Sequence, residues 1–156
     1  MNKISIAVYG SLMSECFNSH FCKGCLSIES ATFCGTIYQL TAGYPAMQVP
    51  AESILAMGTR SPEKDARVQA EQNSKPIEFK IRDGWHEVHG ELVTFGNPEA
   101  INPIDRLEGM PFYYLRVLIP VRRGNGETIA AWVYIMQRLP PGAKQIKSGH
   151  WRPHIR

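Results

Sequence analysis

The sequence predicts a mixed α/β fold, in which a small mixed β-sheet curls toward a barrel and helices flank it. Segments with strand character dominate the chain, and helical segments lie between them. The 13 glycines and 11 prolines imply many turns and argue against a helical bundle. This order of elements also argues against a doubly wound parallel sheet.

The first half of the chain contains three predicted strands, the third of which has no assigned bounds. Ile4 to Val8 alternates and is β-branched, which is typical of a strand. The segment Tyr9-Gly10-Ser11-Leu12 follows as a glycine turn, and we expect a short helix after it. Ala31 to Leu40 is predicted as the second strand, with Gly35 as a β-bulge.

The second half supplies three more predicted strands. Val88 to Phe95 is the first of them. Leu115 to Arg122 and Ile129 to Met136 flank Gly124-Asn125-Gly126, which is the clearest hairpin signal in the chain. Pro140-Pro141-Gly142 ends this region. We therefore expect these last two strands to pair with each other.

A polar stretch separates the two halves. Pro62 to Asn73 is charged and rich in glutamine, so it is either a solvent-facing helix with Ser61 as its N-cap or a mobile insertion. Neither interpretation assigns chemistry to it. We expect one domain over residues 1–156, with this polar insertion at about 50–85 and a basic tail at 144–156.

Composition excludes several classes of protein. A hydrophobic fraction of 44 % and a charged fraction of 20 % fit a compact domain of 156 residues and argue against disorder. No stretch approaches the roughly 20 apolar residues that cross a membrane. The alternating segment that follows Met1-Asn2-Lys3 is too short for the hydrophobic region of a secretory signal, so we expect a cytoplasmic protein without a membrane partner. The net charge of +3 is too weak to indicate nucleic acid. The basic residues of the tail are interpreted as a solvated terminus: Lys144, Lys147, His150, Arg152, His154 and Arg156.

The four cysteines lie in the first quarter of the chain. Cys22-Lys23-Gly24-Cys25 supplies half of a zinc site, but Cys16, Cys34 and His20 lack the paired spacing of a second half. A redox motif would follow a strand and open a helix, and this context is only partly met. We expect reduced structural thiols and neither a metal nor another cofactor.

The segment Asn97 to Gly109, NPEAINPIDRLEG, carries the most information. Asn97-Pro98 and Asn102-Pro103 each offer an N-cap followed by a proline. Because a proline is disfavoured inside a helix, Pro103 predicts a short or kinked helix. Gly109 is a natural residue to end it.

Glu108 falls on the apolar face of this helix. It lies four residues after Ile104 and shares a stripe with Ile101 and Leu107. A buried carboxyl raises its pKa or acquires a partner, and the negative end of the helix dipole acts in the same direction. The alternative is an exposed glutamate at a frayed helix end, or one paired with an arginine. Asp105 is interpreted as a plain first-turn dipole partner, with no carboxylate pair.

Several of these segments resemble the bacterial branch of the γ-glutamylcyclotransferase-like (AIG2-like) family. The resemblance extends over residues 4–49 and 86–151, and its strength lies in the order and spacing of short motifs. These motifs are Tyr9-Gly10-Ser11-Leu12, Ile104-Asp105-Arg106-Leu107-Glu108-Gly109, Tyr114-Leu115-Arg116, Trp132-Val133-Tyr134 and Ile146-Lys147-Ser148-Gly149-His150-Trp151.

The resemblance implies a small α/β barrel and a reaction in which a γ-glutamyl amide cyclises to 5-oxoproline and releases an amine or amino acid. It implies that Glu108 is the acid/base, that the loop Tyr9, Gly10, Ser11 and Leu12 binds the glutamyl end, and that Tyr114 lies near the pocket. The partner would be a small γ-glutamyl substrate. Pro103 departs from the continuous helix of the family, and the insertion aligns with nothing in it.

The residue types suit this chemistry. The nucleophile is the substrate's own α-amine, so no serine, cysteine, metal or cofactor is required, and holding the substrate folded accelerates the reaction. One carboxyl with a pKa near neutrality serves both proton transfers. Backbone N–H groups after a strand bind a carboxylate, and Gly10 permits close approach while Ser11 adds a hydroxyl. The leaving group stays open: an amino acid, a lysine side chain, a polyamine or a larger conjugate.

Two other functions fit the sequence less well. One is a non-catalytic domain that binds a ligand or partner through the same pocket. The other is a zinc- or nucleic-acid-associated module that uses the cysteines and the basic tail.

Overall fold

The computed structural model describes residues 2–13, 16 and 18–152. The strands are β1 (Ile4–Val8), β2 (Ser27–Gln39), β3 (Pro45–Gln48), β4 (Ala56–Met57), β5 (His86–Phe95), β6 (Leu115–Arg123), β7 (Thr128–Ile135) and β8 (Lys144–Gln145). The α-helices are α1 (Pro62–Asn73) and α2 (Asn102–Leu107), and 3₁₀ turns span Ser19–Cys22, Ala51–Ser53 and Pro98–Ile101.

Five strands close into a barrel. β1 pairs antiparallel with β5 and parallel with β7. β2 pairs antiparallel with both β5 and β6, and β6 pairs antiparallel with β7, so the ring is complete. β3 and β8 extend β2 beyond the ring, and β4 pairs with β6. The predicted mixed sheet curled into a barrel is confirmed.

The strands of the barrel are apolar on both faces. On β7, Ala131 and Val133 belong to the cluster that fills the barrel, whereas Trp132 and Tyr134 belong to a second cluster that includes the helical segments. Because successive side chains of a strand point to opposite faces, this alternation places one core inside the barrel and another outside it. The outer core is where the helices dock.

The strand predictions are confirmed with two corrections. The β6–β7 hairpin, β1 and β5 match the expected segments closely. β2 begins at Ser27 and not at Ala31, because its first residues pair with the far end of β5. Gly35 is not a bulge: it pairs in continuous register with His86, and a Cβ there would lie 2.7 Å from the Gln48 carbonyl oxygen. Close approach of β3 is the reason for this glycine.

Of the two alternatives for the polar stretch, the helix is correct: α1 is present, with Ser61 accepting a hydrogen bond from the Lys64 N–H at 3.2 Å. It is not merely solvent-facing, however, because Asp65, Ala66 and Gln69 are buried. The Gln69 amide bonds to both main-chain groups of Ser5 on β1 and to the Ala130 carbonyl on β7. The polar insertion therefore docks a helix across the parallel strand pair.

The segment before Glu108 is divided as Pro103 predicts. A 3₁₀ turn begins after Asn97, whose side chain caps it, and the short helix α2 follows directly. Asn102 is not a cap, since Ile101 holds that position without a side-chain hydrogen bond. Pro103 lies in the first turn of α2, where its missing N–H costs no hydrogen bond.

Arg116 on β6 connects the two helices. Its guanidinium is closed off from solvent and donates to Asp65 of α1 at 2.7 Å. It also makes a two-point contact with Asp105 of α2, with distances of 2.9 and 3.0 Å, and donates to the Thr59 carbonyl at 3.0 Å. The guanidinium lies 5.3 Å from the centre of the Trp132 ring.

The C-terminal segment is more than a solvated tail. Lys144, Lys147 and Arg152 are exposed, but the buried Trp151 anchors the segment by donating from its indole N–H to the Gln39 side chain at 2.8 Å. The His150 ring stacks on His89. His154 and Arg156 lie outside the described residues.

The four cysteines are not joined in disulfides. Cys22 is buried, donates to the Leu12 carbonyl, and has its pKa raised to about 11 chiefly by burial. In the described part of the chain, no cluster of His, Cys, Asp or Glu side chains is arranged to hold a metal. Over the same residues, neither α-helix has the length and apolar character that crossing a bilayer requires.

We expect Arg116→Met to lower the free energy of unfolding by about 3–5 kcal/mol, because it leaves two carboxylates without their cation. Arg123→Met is the matched control, since Arg123 pairs with Glu29 and Glu127 at the surface and is worth about 1 kcal/mol or less. Urea unfolding of both variants measures the difference. Equal losses for the two would contradict the assignment.

Candidate active site

A cavity of about 350 Å³ opens beside the end of β1. Four segments surround it: the end of β1 with the loop after it, the turn Tyr44–Pro45, the chain from the end of α2 to the start of β6, and β7 through Tyr134. The structure brings all the residues singled out from the sequence to this cavity, namely Tyr9, Gly10, Ser11, Leu12, Glu108 and Tyr114.

Glu108 is positioned by the way α2 ends. Gly109 adopts a φ of +64°, a conformation that favours glycine. The Gly109 N–H donates to the Arg106 carbonyl at 3.1 Å, and the Met110 N–H donates to the Asp105 carbonyl at 3.0 Å. This pair of bonds is a Schellman cap, and it positions Glu108, the residue directly after α2, at the cavity.

The pKa of Glu108 is raised from 4.5 to about 7. Burial is the larger cause, because it disfavours the charged form, and the nearby Asp105 carboxylate is the second. Asp105 is therefore not the simple dipole partner expected from the sequence. It accepts hydrogen bonds from Arg116 and from the Tyr134 hydroxyl while its charge acts on Glu108.

The sequence predicts a buried apolar stripe on α2, and this prediction is confirmed for two of its three apolar residues. Ile101 and Ile104 are fully buried, but Leu107 is 41 % exposed and lines the mouth of the cavity. On an α-helix Leu107 lies about 60° from Ile104 and Glu108 lies about 40° from it on the other side. At the end of α2, Glu108 therefore lies in the cavity wall, whereas Leu107 lies at the cavity mouth.

The loop after β1 is held by its neighbours. The Asn18 side-chain amide donates to the Ser11 hydroxyl at 2.8 Å, and the Asn18 N–H donates to the Ser11 carbonyl at 2.8 Å. A Cβ on Gly10 would lie 2.7 Å from Pro45, so a larger residue would push the loop and the turn apart. Leu12 is buried in the outer core.

Three phenols, those of Tyr9, Tyr114 and Tyr134, share the cavity wall with Glu108. The Tyr9 hydroxyl donates to the Tyr134 carbonyl at 2.7 Å, and the Tyr114 hydroxyl donates to the Pro45 carbonyl at 2.8 Å. Burial is the main cause that raises the pKa of Tyr9, Tyr114 and Tyr134, and the Glu108 charge adds to it. These groups stay neutral at neutral pH, and their hydroxyls hold the walls together.

Sequence reasoning missed several residues of the cavity wall. They are Asn18, Tyr44, Pro45, Tyr113 and Tyr134. Tyr134 has a signal in the alternation of β7, which puts it on the same face as Trp132, but nothing in the sequence says which helix covers that face. Tyr113 packs against Gly109 and remains 74 % exposed.

The wall is acidic and phenolic. Among the described residues that line the cavity there is no lysine, arginine or histidine. A bound carboxylate would therefore depend on N–H and hydroxyl donors, and the loop at Gly10 and Ser11 is where such donors are available.

Comparison with known proteins decides the family. The family model described as "Gamma-glutamyl cyclotransferase, AIG2-like" matches residues 56–153, which is more than half of the chain. The chain belongs to this family. The matched range includes Glu108 and Tyr114 and begins after the Tyr9–Leu12 loop. The family found by resemblance in the sequence is thus confirmed. The extent of the match differs from the expected one: it takes in the insertion from residue 56 onward, which was expected to align with nothing in the family, and it does not include residues 4–49. No curated protein matches the chain.

Solved structures share the fold at low identity. YkqA from Bacillus subtilis is 19 % identical with a TM-score of 0.57, and the alignment covers 97 % of this chain and 40 % of that one. At5g39720.1 from Arabidopsis thaliana is 21 % identical with a TM-score of 0.56, covering 90 % and 74 % of the two chains. PH0828 from Pyrococcus horikoshii is 19 % identical with a TM-score of 0.54, covering 94 % and 88 %. This chain spans less than half the length of YkqA.

The pKa of Glu108 predicts a pH-dependent stability. Since the unfolded carboxyl ionises near 4.5 and the folded one near 7, this residue costs the wild type stability as the pH rises between these values. Glu108→Gln removes that cost. We expect the variant to gain on the order of 3 kcal/mol over the wild type between about pH 4 and about pH 8.

Urea unfolding of both proteins at the two pH values measures this gain. Glu99→Gln is the control, because Glu99 is an exposed carboxyl in the turn that precedes α2. A stability difference between Glu108→Gln and wild type that is the same at both pH values would contradict the raised pKa.

Proposed function

We propose that this protein is a γ-glutamylcyclotransferase-type enzyme that converts a γ-glutamyl amide to 5-oxoproline and releases an amine or amino acid. One observation carries the proposal: a carboxyl with a pKa of about 7 faces the cavity opposite a loop that can bind the glutamyl end. Family membership supports the same reaction class.

The glutamyl end binds at the loop Tyr9–Leu12 in this proposal. The backbone there passes close to Pro45 because Gly10 has no side chain, and Ser11 adds a hydroxyl to the wall. The α-carboxylate takes its hydrogen bonds from the N–H groups of this loop. The α-ammonium then faces Glu108 across the cavity.

Glu108 is the general base and then the general acid in this proposal. In its carboxylate form it takes a proton from the α-ammonium, and the freed amine attacks the γ-carbonyl carbon of the same molecule. A carbon–nitrogen bond closes the five-membered ring. When the original amide bond breaks, the Glu108 carboxyl returns its proton to the leaving nitrogen. The second proton that the ring nitrogen loses on ring closure passes through Glu108 to the same nitrogen, so the amine leaves as an ammonium ion. Substrate atoms therefore appear in 5-oxoproline and the amine alone, and the enzyme is unchanged.

A pKa near 7 suits both steps. A carboxyl that ionises near the working pH is a stronger base than an ordinary glutamate and still releases its proton readily. Folding the substrate against the loop supplies the rest of the acceleration, because the amine and the carbonyl belong to one molecule and need only be held together.

We expect Glu108→Gln to lower kcat/KM by about 10²–10⁴-fold, since it removes a positioned proton-transfer group. Glu99→Gln should retain wild-type activity. The assay follows 5-oxoproline release from γ-glutamyl dipeptides, Nε-(γ-glutamyl)lysine, and γ-glutamyl derivatives of an alkylamine and a polyamine. Equal activity of Glu108→Gln and wild type would end the proposal.

A wild-type protein that releases no product from any member of this panel would also count against the enzyme. Calorimetry then separates the alternatives. Retained binding of 5-oxoproline or a γ-glutamyl amide would favour a non-catalytic binding domain on the same scaffold.

The pH profile provides a further expectation. Because the base form of Glu108 starts the reaction, wild-type kcat/KM should rise with pH and level off above about 7. Initial rates at low substrate concentration over the stable pH range measure it. A limb near the ordinary glutamate value of 4.5 would show that the raised pKa has no part in the reaction.

A further inference from the structure

We propose that Asp105 is the positioning residue of this site: its carboxylate, clamped by Arg116 and Tyr134 one helical turn before Glu108, keeps the proton on Glu108. The inference rests on the acid/base role of Glu108 proposed above. Asp105 would then be a second carboxylate that takes part in the reaction, although it does not line the cavity.

The clamp holds Asp105 from two sides. Arg116 Nε donates to Oδ1 at 2.9 Å and Arg116 Nη2 donates to Oδ2 at 3.0 Å. The Tyr134 hydroxyl donates to Oδ1 at 2.5 Å. The Asp105 side chain is only 18 % exposed. Three donors on one carboxylate fix its position.

A charge count shows why Arg116 does not cancel this effect. The single positive charge of Arg116 is shared between Asp105 and the buried Asp65, which it contacts at 2.7 Å. The cluster of one guanidinium and two carboxylates therefore carries one excess negative charge. With little water nearby, that charge is poorly screened.

Asp105 is the charged side chain placed to act on Glu108. Residues three apart on a helix are neighbours, and α2 ends between these two. The other titratable groups at the cavity are phenols: Tyr9, Tyr44, Tyr113, Tyr114 and Tyr134. Within the part of the chain that the structure describes, no cation lines the cavity to offset Asp105.

The raised pKa of Glu108 agrees with this arrangement, since the Asp105 charge is its second cause after burial. Removing the Asp105 charge should leave the burial contribution and remove the electrostatic one. The raised pKa of Glu108 thus has two causes: the cavity wall that shields it from water and the neighbouring Asp105 carboxylate.

The test is a ¹³C NMR titration of the Glu108 carboxyl carbon in wild type, Asp105→Asn and Glu99→Gln. Asp105→Asn is expected to fold, because it leaves Arg116 paired one-to-one with Asp65. Its Glu108 midpoint should move down by about one pH unit, and that of Glu99→Gln should not move. A midpoint in Asp105→Asn within about 0.2 pH units of wild type would overturn the proposal.

Wild-type protein alone offers a second test, which holds even if Asp105→Asn does not fold. The Glu108 carboxyl carbon should titrate near 7. A wild-type midpoint near the ordinary glutamate value of 4.5 would overturn the proposal.

Activity distinguishes positioning from simple support of the fold. In Asp105→Asn the acidic limb of kcat/KM should move down by the same amount as the NMR midpoint, whereas a purely structural defect would lower the rate at every pH without moving the limb. The titration needs no turnover. A protein with the expected shift but no 5-oxoproline release would retain this inference about Glu108 acidity and lose the proposed function.

Discussion

A guanidinium that is closed off from water must be matched with anions, and here each α-helix supplies one. Arg116 enters from the barrel strand β6 and meets Asp65 of α1 and Asp105 of α2. Taking a charge out of water is expensive unless its hydrogen bonds are satisfied, so the helices are held to narrow positions relative to the strand. The placement of Glu108 depends on this constraint, because α2 ends there.

The cavity exists because the barrel is apolar on both faces. Side chains such as Val133 fill its interior, while Trp132 and Tyr134 turn outward to meet the helices. Two phenols of the site donate to main-chain carbonyls: Tyr9 to that of Tyr134 and Tyr114 to that of Pro45. These two hydrogen bonds join the walls of the site without placing a further charge beside Glu108.

The polar insertion has a structural part in the site that its composition conceals. Its helix buries Asp65 against Arg116 and Thr59, and this carboxylate shares the charge of Arg116 with Asp105. Asp105 is left with an incomplete neutralisation beside Glu108. A remote segment can therefore influence an acid/base group without touching the cavity, through the cation that the two carboxylates share.

Much of this protein is determined by local sequence. Alternation and turn residues locate β1, β5 and the β6–β7 hairpin, and Ser61, Asn97 and Gly109 mark helix ends, because strand alternation and caps act over a few neighbouring residues. The 3.6-residue period also puts Glu108 near the buried side of its helix.

Tertiary structure decided the rest. Leu107 is half exposed and Asp65 is buried, since these depend on which distant strand or loop covers a helix face. The contact of Arg116 with two acids that lie 51 and 11 residues away exists only after the barrel closes. Glu108 shows both contributions. The local sequence pattern identifies it as a candidate for the buried face of its helix, but its pKa is raised by burial and by the Asp105 charge, which depend on the folded surroundings.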